Sequence, residues 1–208
     1  SIDDFLTLEY IPDNKTKWKE ISKVPPGHEI VWQGHSGIKI RKYWDVNFSG
    51  TNKYTDKTEQ LNELLNEIYK TIELNNSELC MISGGIDTST NICFLKEHFH
   101  QPDGLTVTFK EAEFDESYFA KEVATHYGIK HIEIPFVSND LYLLDEMVQY
   151  FDEPNGDQAS LASYVALKKL KGQYNILYSG EGGDEVFGLP RKFSLSNPNE
   201  KSSDLKQL

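Results

Sequence analysis

The spacing of apolar residues divides the chain into two parts with different predicted structure. In residues 1–56 the pattern is typical of strands and loops, and two apolar runs, 28–33 and 38–44, flank a Gly-His-Ser-Gly turn. Such runs around a glycine-containing turn predict a β-hairpin. From 56 to 73, apolar side chains recur at the spacing of a helix that packs by one face. They are Leu61, Leu64, Leu65, Ile68 and Ile72.

After residue 78 the pattern alternates between short buried strands and helices. The predicted strands cover 79–82, 105–109, 131–134 and 175–178, and the predicted helices cover 88–100, 116–127, 139–150 and 159–171. Strands that are separated by helices pair in parallel through right-handed crossovers. The predicted fold class is therefore α/β, a parallel sheet with helices on both faces, preceded by a short β segment.

Composition narrows the classes of function. The 208 residues include 33 Asp and Glu against 21 Lys and Arg, a formal net charge of −12. Such an acidic chain is poorly suited to a phosphate backbone, and no apolar run approaches the roughly 18–20 residues that span a bilayer. Neither nucleic acid nor a membrane is therefore expected as a partner. Two cysteines do not build a disulfide framework, which favours a reducing, cytoplasmic location.

A glycine-rich loop comes after the first predicted strand of the second part. Residues 83–89 read Ser-Gly-Gly-Ile-Asp-Thr-Ser and lead directly into a predicted helix. Glycines let the backbone approach an anion closely, and the N–H groups and hydroxyls at a helix start point towards that anion. The loop lacks the lysine of a Walker A motif and the glycine spacing of a dinucleotide site. The alternative is an ordinary glycine turn in which Asp87 or Thr88 caps the helix.

A second loop, after the last predicted strand, carries several carboxylates. Residues 179–185 read Ser-Gly-Glu-Gly-Gly-Asp-Glu. In a parallel sheet, ligands bind at the carboxyl ends of the strands, where both loops are expected. Asp87 and Asp184 together would supply an oxygen site for Mg²⁺, which would neutralise phosphates that no lysine of the first loop can reach. The alternative is a solvated acidic turn.

Both loops resemble the signatures of a known family. Residues 83–89 are similar to the pyrophosphatase loop of the N-type ATP pyrophosphatases, and residues 179–188 resemble the second signature of asparagine synthetase and its relatives. Residues 152–164 look like the acceptor-side loop of that family, and residues 24–28 and 43–45 resemble the join between its glutaminase and synthetase domains. The resemblance covers about residues 10–192.

The resemblance implies the fold of the adenine nucleotide alpha hydrolases and a reaction with MgATP. A carboxylate is adenylated with release of pyrophosphate, and ammonia or an amine then attacks the acyl-adenylate. Glu181 matches the family's catalytic glutamate, a base for the attacking amine, whereas Asp87 and Asp184 would hold Mg²⁺. The implied ATP-binding residues are Ser83, Gly84, Gly85, Asp87, Thr88, Ser89, Phe109, Ser179 and Gly180.

The same resemblance implies a domain organisation and partners. Residues 1–56 would be the remnant of a glutaminase-like β region and its linker, 57–192 the ATP-binding synthetase domain, and 193–208 a disordered polar tail. No cysteine begins the chain and the family's later helices have no counterpart before Leu208, so we expect a fragment, with a glutaminase domain or subunit as one candidate partner and the source of ammonia left open. The acyl substrate would be a small carboxylate, with aspartate as one candidate.

Two alternatives remain open at this level. The chain departs from the family at Gln158, near the place where one type of asparagine synthetase carries an arginine for the aspartate carboxylate. A related amide-forming or ring-forming synthetase with a different carboxylate would keep the same nucleotide chemistry. A regulatory domain that binds ATP without turnover would keep only the binding residues.

Overall fold

The computed structural model describes residues 1–47, 56–72, 77–98, 101–111, 113–157 and 159–187. The chain forms two compact units, one of Ser1–Gln60 with Val137–Lys169 and the other of Leu61–Phe136 with Leu170–Leu208. These units do not coincide with the predicted division at residue 56, because residues 137–169 group with the N-terminal part. The predicted domain limits remain a prediction, and the predicted tail at 193–208 and Gln158 lie outside the described residues.

From residue 78 onwards the strands occur in the predicted order, but the helix predicted over 139–150 is instead a 3₁₀ helix at Ser138–Leu143 followed by a short α-helix at Leu144–Val148, and the helix at Gly183–Phe187 was not predicted. The helices are α1 (Ile2–Leu8), α2 (Lys57–Lys70), α3 (Ile86–His98), α4 (Ser117–Tyr127), α5 (Leu144–Val148), α6 (Ala159–Lys169) and α7 (Gly183–Phe187). The strands are β1 (His28–Trp32), β2 (Ile38–Lys42), β3 (Glu78–Met81), β4 (Asp103–Thr108), β5 (His131–Pro135) and β6 (Ile176–Tyr178). Two 3₁₀ turns, Gly34–Ser36 and Ser138–Leu143, complete the described elements.

The second unit is built on a parallel sheet of four strands in the order β5-β4-β3-β6. The register pairs Cys80 with Gly104 on one side and with Tyr178 on the other, so β3 lies between β4 and β6. A strand that is covered on both edges and both faces must be apolar, and Leu79 and Cys80 are almost fully buried. The predicted α/β fold class with a parallel sheet and a leading β segment is confirmed.

Residues from α2, α3 and α4 pack with β3 to form the core of this unit. Its buried members are Tyr69, Cys80, Ile82, Ile92, Phe94, Leu95, Ala120, Ala124 and Ile129. Gly128 ends α4 in the left-handed conformation (φ 62°), and its N–H donates to the carbonyls of Ala124 and Thr125. A glycine closes a helix in this way at little steric cost, which confirms the predicted end of α4.

The amphipathic helix predicted from 56 to 73 is present as α2, but its apolar face is only partly buried. The helix begins where the Asp56 carboxylate accepts the N–H groups of Thr58 and Glu59. Leu65 and Ile72 pack against the core, whereas Leu64 and Ile68 are about half exposed. The prediction that all five apolar residues pack on the protein is therefore wrong for these last two side chains.

The N-terminal part contains the predicted hairpin and one helix that the pattern did not predict. Strands β1 and β2 pair antiparallel, with Trp32 opposite Ile38 across the turn. Residues Ile2–Leu8 form α1, and the helix ends at Glu9, whose N–H donates to the carbonyl of Phe5. Strand and loop were expected over 1–56, so this expectation is wrong for α1 because the seven residues are too short for a clear period. Within the described parts of the chain, no helix combines the length and the apolar character needed to cross a bilayer.

Candidate functional site

The two glycine-rich loops are neighbours because of the strand order. Strands β3 and β6 are adjacent and parallel, with Cys80 opposite Tyr178, and each is followed within a few residues by one of the loops. The loop at 83–89 leads into α3, and the loop at 179–185 leads into the short helix α7. The carboxyl edge of the sheet therefore brings together two segments that are far apart in the sequence.

The first loop is closed by its own hydroxyl groups. The Ser83 N–H donates to Thr88 Oγ1 over 3.2 Å, and the Ser83 and Thr88 hydroxyls lie 3.1 Å apart. The Gly85 N–H donates to Ser83 Oγ over 3.2 Å. Helix α3 begins at Ile86, and the first N–H groups of a helix have no acceptor within the helix. The loop thus presents backbone donors at the positive end of a 13-residue helix.

Gly84 is required in this loop for two separate reasons. Its φ of +86° lies in the left-handed region, which side chains rarely adopt. A Cβ at this position would also lie 2.3 Å from the Cβ of Phe119 on α4. No larger residue fits here without displacing α4, so the close approach of loop and helix explains the glycine.

The second loop packs its glycines against the first turn of α3. A Cβ on Gly183 would lie 2.5 Å from Asp87 Cγ, and a Cβ on Gly180 would lie 3.2 Å from Asp87 Cβ. The Gly183 N–H closes the turn by donating to the Gly180 carbonyl over 3.2 Å, and Gly182 has a φ of +90°. The loop backbone therefore lies directly against the Asp87 carboxylate, which only glycine permits.

A cavity of about 620 Å³ opens beside these contacts, within the size range of small-molecule sites. Its polar lining includes Asp87, Glu181 and Asp184, and its apolar lining comes from α2, the start of α3 and the end of α7. The apolar residues are Leu61, Leu65, Ile86 and Phe187. A cavity lined by both carboxylates and apolar side chains suits a small ligand that carries polar and hydrophobic groups.

The charge of this lining determines which ligands it accepts. Three carboxylates and no Lys or Arg occur among the described residues that line the cavity, so a bare polyphosphate would be repelled. Carboxylate oxygens are the donors that Mg²⁺ prefers, and Asp87 and Asp184 are the lining carboxylates that would hold such an ion. Within the described ranges, no three His, Cys, Asp or Glu side chains group into a metal site. Mg²⁺ is commonly held by one or two carboxylates together with water and phosphate oxygens, so two residues suffice.

The structure brings together some of the predicted site residues and leaves others apart. Asp87, Ser179, Gly180, Glu181 and Asp184 all line the same cavity. The remaining residues of the first loop, Ser83, Gly84, Gly85, Thr88 and Ser89, shape that loop and its helix start but are not among the lining residues.

Phe109 lies apart from the cavity. It comes directly after β4, and its ring packs against that of Phe136, with the ring centroids 5.8 Å apart. Phe109 is not among the residues that line the cavity. The predicted contact of Phe109 with the adenine or ribose therefore remains a prediction.

Sequence reasoning missed two polar residues that join the second loop to the core. The Asn91 Nδ2 group donates to the carbonyl of Ser179 over 2.6 Å, and the Tyr69 hydroxyl donates to Asn91 Oδ1 over 2.6 Å. Asn91 lies four residues after Asp87, the spacing that places two side chains on one face of a helix. This spacing is the sequence signal that could have identified Asn91 as a residue of the site. Burial raises the pKa of Tyr69 to about 12, so its hydroxyl keeps the proton that this bond requires.

The acceptor-side loop predicted at 152–164 belongs to the other compact unit and is held by the N-terminal segment. Lys23 Nζ pairs with Glu153 Oε2 over 2.5 Å, and the Gly156 N–H donates to the carbonyl of Glu9 over 3.1 Å. The Asp157 carboxylate accepts the Ala159 N–H over 3.0 Å, which caps α6. Asp157 therefore shapes a helix start in this structure.

Comparisons with known proteins agree on one family. The sequence pattern of the family described as asparagine synthase matches residues 76–206. The glutamine-hydrolyzing asparagine synthetase 1 of Bacillus subtilis is 28% identical over 194 residues, which are 90% of this chain and 30% of that protein. A putative glutamine-hydrolyzing asparagine synthetase 2 of Methanocaldococcus jannaschii is 24% identical over 195 residues, or 90% of this chain and 38% of that protein. The chain thus spans about a third of the length of these relatives.

Among solved structures, the NH3-dependent NAD synthetase of Campylobacter jejuni is similar, with a TM-score of 0.40 and 13% sequence identity. The similar region covers 62% of this chain and 56% of that one.

Proposed function

The chain belongs to the asparagine synthase family, and from that premise we propose that it forms amide bonds at the expense of ATP through an acyl-adenylate, releasing AMP and pyrophosphate. One observation carries the proposal. Carboxylates from two distant loops, Asp87 of the first and Glu181 and Asp184 of the second, line one cavity beside the N-terminus of α3. Adenylation needs an anion site and ligands for a divalent cation, and the amidation that follows needs a base; the start of α3, Asp87 with Asp184, and Glu181 are the proposed matches.

In the proposed adenylation step, the loop at 83–89 and the start of α3 bind the phosphates. A carboxylate oxygen of the acyl substrate attacks the α-phosphorus of ATP, and the bond from that phosphorus to its bridging oxygen breaks as pyrophosphate leaves. Backbone N–H groups and the hydroxyls of Ser83, Thr88 and Ser89 would orient the phosphate oxygens for this displacement. Asp87 and Asp184 would hold Mg²⁺, which would supply positive charge to offset the charge that develops on the leaving pyrophosphate.

In the second step, ammonia or an amine attacks the acyl carbon and the bond to AMP breaks. The nitrogen must lose a proton as the amide forms, and Glu181 is the proposed acceptor of that proton. The Bacillus and Methanocaldococcus relatives are named as glutamine-hydrolyzing, so we propose that a glutaminase domain or subunit supplies the ammonia. Aspartate is the first acyl substrate to test, and the cytoplasmic location remains a prediction from the sequence.

The test of this function traces the oxygen atoms. Carboxylic acids labelled with ¹⁸O are incubated with MgATP and ammonia, and the label is expected to appear in AMP because the carboxylate oxygen stays on the α-phosphorus. Glu181→Gln should retain adenylation while amide formation falls about 100-fold or more, since only the second step uses the base. Label in inorganic phosphate, or hydrolysis of ATP to ADP, would contradict the proposal.

The same assay separates the alternative functions. A synthetase with another carboxylate would release labelled AMP with that acid and not with aspartate. A regulatory domain would be stabilised against heat by MgATP, through mass action, without releasing pyrophosphate from any acid.

A further inference from the structure

Asn91 lies between the buried core and the second loop. The residue is on α3, its Nδ2 group donates to the Ser179 carbonyl, and its Oδ1 accepts from the Tyr69 hydroxyl, with both distances at 2.6 Å. A carbonyl can only accept, so the amide nitrogen must face Ser179 and the amide oxygen must face Tyr69. The orientation of this amide is thereby fixed from both sides.

Tyr69 is itself held in one place. It is only 7% exposed, and its ring stacks on Phe94 at a centroid distance of 5.4 Å and an interplanar angle of 10°. The ring of His98 stacks on it as well, at 6.5 Å. The packed ring therefore holds the Tyr69 hydroxyl in one position, where it donates to Asn91. Groups that surround a site commonly orient its residues through hydrogen bonds of this kind.

The Ser179 carbonyl is the point at which the second loop leaves the sheet. Strand β6 ends at Tyr178, and Glu181 lies two residues beyond Ser179. Beyond Ser179, the described hydrogen bonds of the loop are its own: Gly183 to Gly180, and Glu181 to the Ser179 hydroxyl over 3.4 Å. The hydrogen bond from Asn91 therefore joins the loop to the helix that carries Asp87.

We propose that Asn91, oriented by Tyr69, is a positioning residue that holds the loop of Glu181 and Asp184 in register with Asp87. The inference rests on the proposed function and adds a role that neither loop motif contains. Asn91 also lines the cavity, but in this role it touches no reacting atom and acts through the Ser179 carbonyl. Loss of the bond shifts Glu181 and Asp184 relative to the bound phosphates, and errors of this kind reduce turnover more than binding.

The experiment compares turnover and nucleotide affinity in Asn91→Leu, Asn91→Asp and Tyr69→Phe. Leucine has a similar size and loses both hydrogen bonds, aspartate loses the donor, and phenylalanine keeps the stacked ring without the hydroxyl. We expect kcat for pyrophosphate release to fall roughly 10- to 100-fold in the Asn91 variants and about 3- to 10-fold in Tyr69→Phe, with KM for ATP within about 3-fold.

Matched controls remove polar side-chain groups away from the loops. Thr125→Val removes a hydroxyl on α4 that donates to the Lys121 carbonyl, and Tyr127→Phe removes a hydroxyl on the same helix. Both controls should keep the parental kcat, even where the melting temperature falls. A kcat loss that tracks the melting temperature across all variants would show a structural role only and overturn the inference.

A double variant provides a second, independent readout. If Tyr69 acts through Asn91, then adding Tyr69→Phe to Asn91→Leu should lower kcat by less than about 2-fold further, whereas independent residues would combine multiplicatively. Full multiplication of the two losses, or unchanged kcat in a folded Asn91→Asp, would overturn the proposal. Absence of pyrophosphate release from the parent protein with every acid would instead refute the proposed function.

Discussion

Each of the two loops is anchored by a hydrogen bond to a backbone carbonyl at its start or just before it. The side chains that make these bonds differ in chemistry. Ahead of the first loop, the carbonyl of Ile82 accepts from Thr106 Oγ1 over 2.7 Å, and Thr106 Oγ1 contacts His131 Nε2 over 2.9 Å. At the second loop, the carbonyl of Ser179 accepts from Asn91, which accepts from Tyr69. Both series of hydrogen bonds end on the backbone at the carboxyl edge of the sheet.

The loops differ in the structure that each one enters after its anchor. The first loop adds its own bonds between Ser83 and Thr88 and enters a long helix, so it carries its shape within one continuous segment. The second loop enters α7, which has five residues, and two of its glycines, Gly180 and Gly183, pack against the Asp87 side chain. We conclude that the first loop holds its conformation by its own hydrogen bonds, whereas the conformation of the second loop depends on contacts with the first.

The largest effect is expected from placing a side chain at Gly84, where the first loop lies close to Phe119. Gly84→Ala combines a left-handed φ with a collision against Phe119, and should cost about 3–5 kcal/mol of folding free energy. Gly128→Ala is the matched control, because Gly128 also has a positive φ but no atom within 4 Å of an added Cβ. It should lose only about 1–2 kcal/mol. Urea denaturation measures both, and equal losses would contradict the role of the Phe119 contact.

The next largest effect should show that the second loop depends on Asp87. Gly183→Ala places a methyl group 2.5 Å from Asp87 Cγ and should weaken MgATP binding about 10-fold, as measured by calorimetry. The melting temperature should fall in this variant and recover in the double variant Gly183→Ala with Asp87→Ala, since the colliding carboxylate is then absent. If Gly183→Ala lowered the melting temperature by the same amount in the Asp87→Ala background, the second loop would not depend on Asp87.

A smaller effect is expected from the hydroxyl that closes the first loop. Thr88→Val keeps the shape of the side chain but removes the acceptor for the Ser83 N–H, and should weaken MgATP binding by about 5- to 10-fold. Thr88→Ser keeps that acceptor and should bind within about 2-fold of the parent protein. Equal affinities for the valine and serine variants would show that the hydroxyl has no role in the loop.

The smallest effect is a pH dependence of stability, which the anchor of the first loop should show and the anchor of the second loop should not. Burial lowers the pKa of His131 below its ordinary 6.5, opposed by the Glu133 carboxylate and assisted by Lys121. The unfolded chain then binds more protons than the folded one, so the stability that His131 contributes is present above pH 6.5 and is lost as the pH falls towards its folded pKa. His131→Gln should flatten this dependence in pH-resolved denaturation. The Tyr69 anchor, with a pKa of about 12, should show no change in that range.

Much of the second unit was predictable because each of its elements has a local signal. The strands and helices after residue 78 have distinct periods, and the two loops stand out in the sequence by their glycines and carboxylates. From these, the α/β class, the parallel pairing and the adjacency of Asp87 to the loop of Asp184 can be inferred. Helix α1 was missed because seven residues do not establish a period.

The supporting contacts could not be predicted, because they depend on distances across the fold. Nothing in the local sequence shows that Asn91 reaches the Ser179 carbonyl or that Phe119 touches Gly84. The exposure of Leu64 and Ile68 could not be predicted for the same reason. A periodic apolar face shows which side of a helix can be buried, but not whether another element covers it.

The strand order has a consequence for the order of events during synthesis. Strand β6 is the last strand among the described residues, yet it pairs with β3, the first strand of its sheet, and the backbone of Asn175 bonds to Ser77 across a separation of 98 residues. Contacts of such long range form late and slowly in folding. A ribosome that has released β3, β4 and β5 has therefore made a sheet with an open edge at β3. The nascent chain brings the two loops of the candidate site together only when β6 closes that edge, and until then the exposed edge of β3 is open to pairing with other chains.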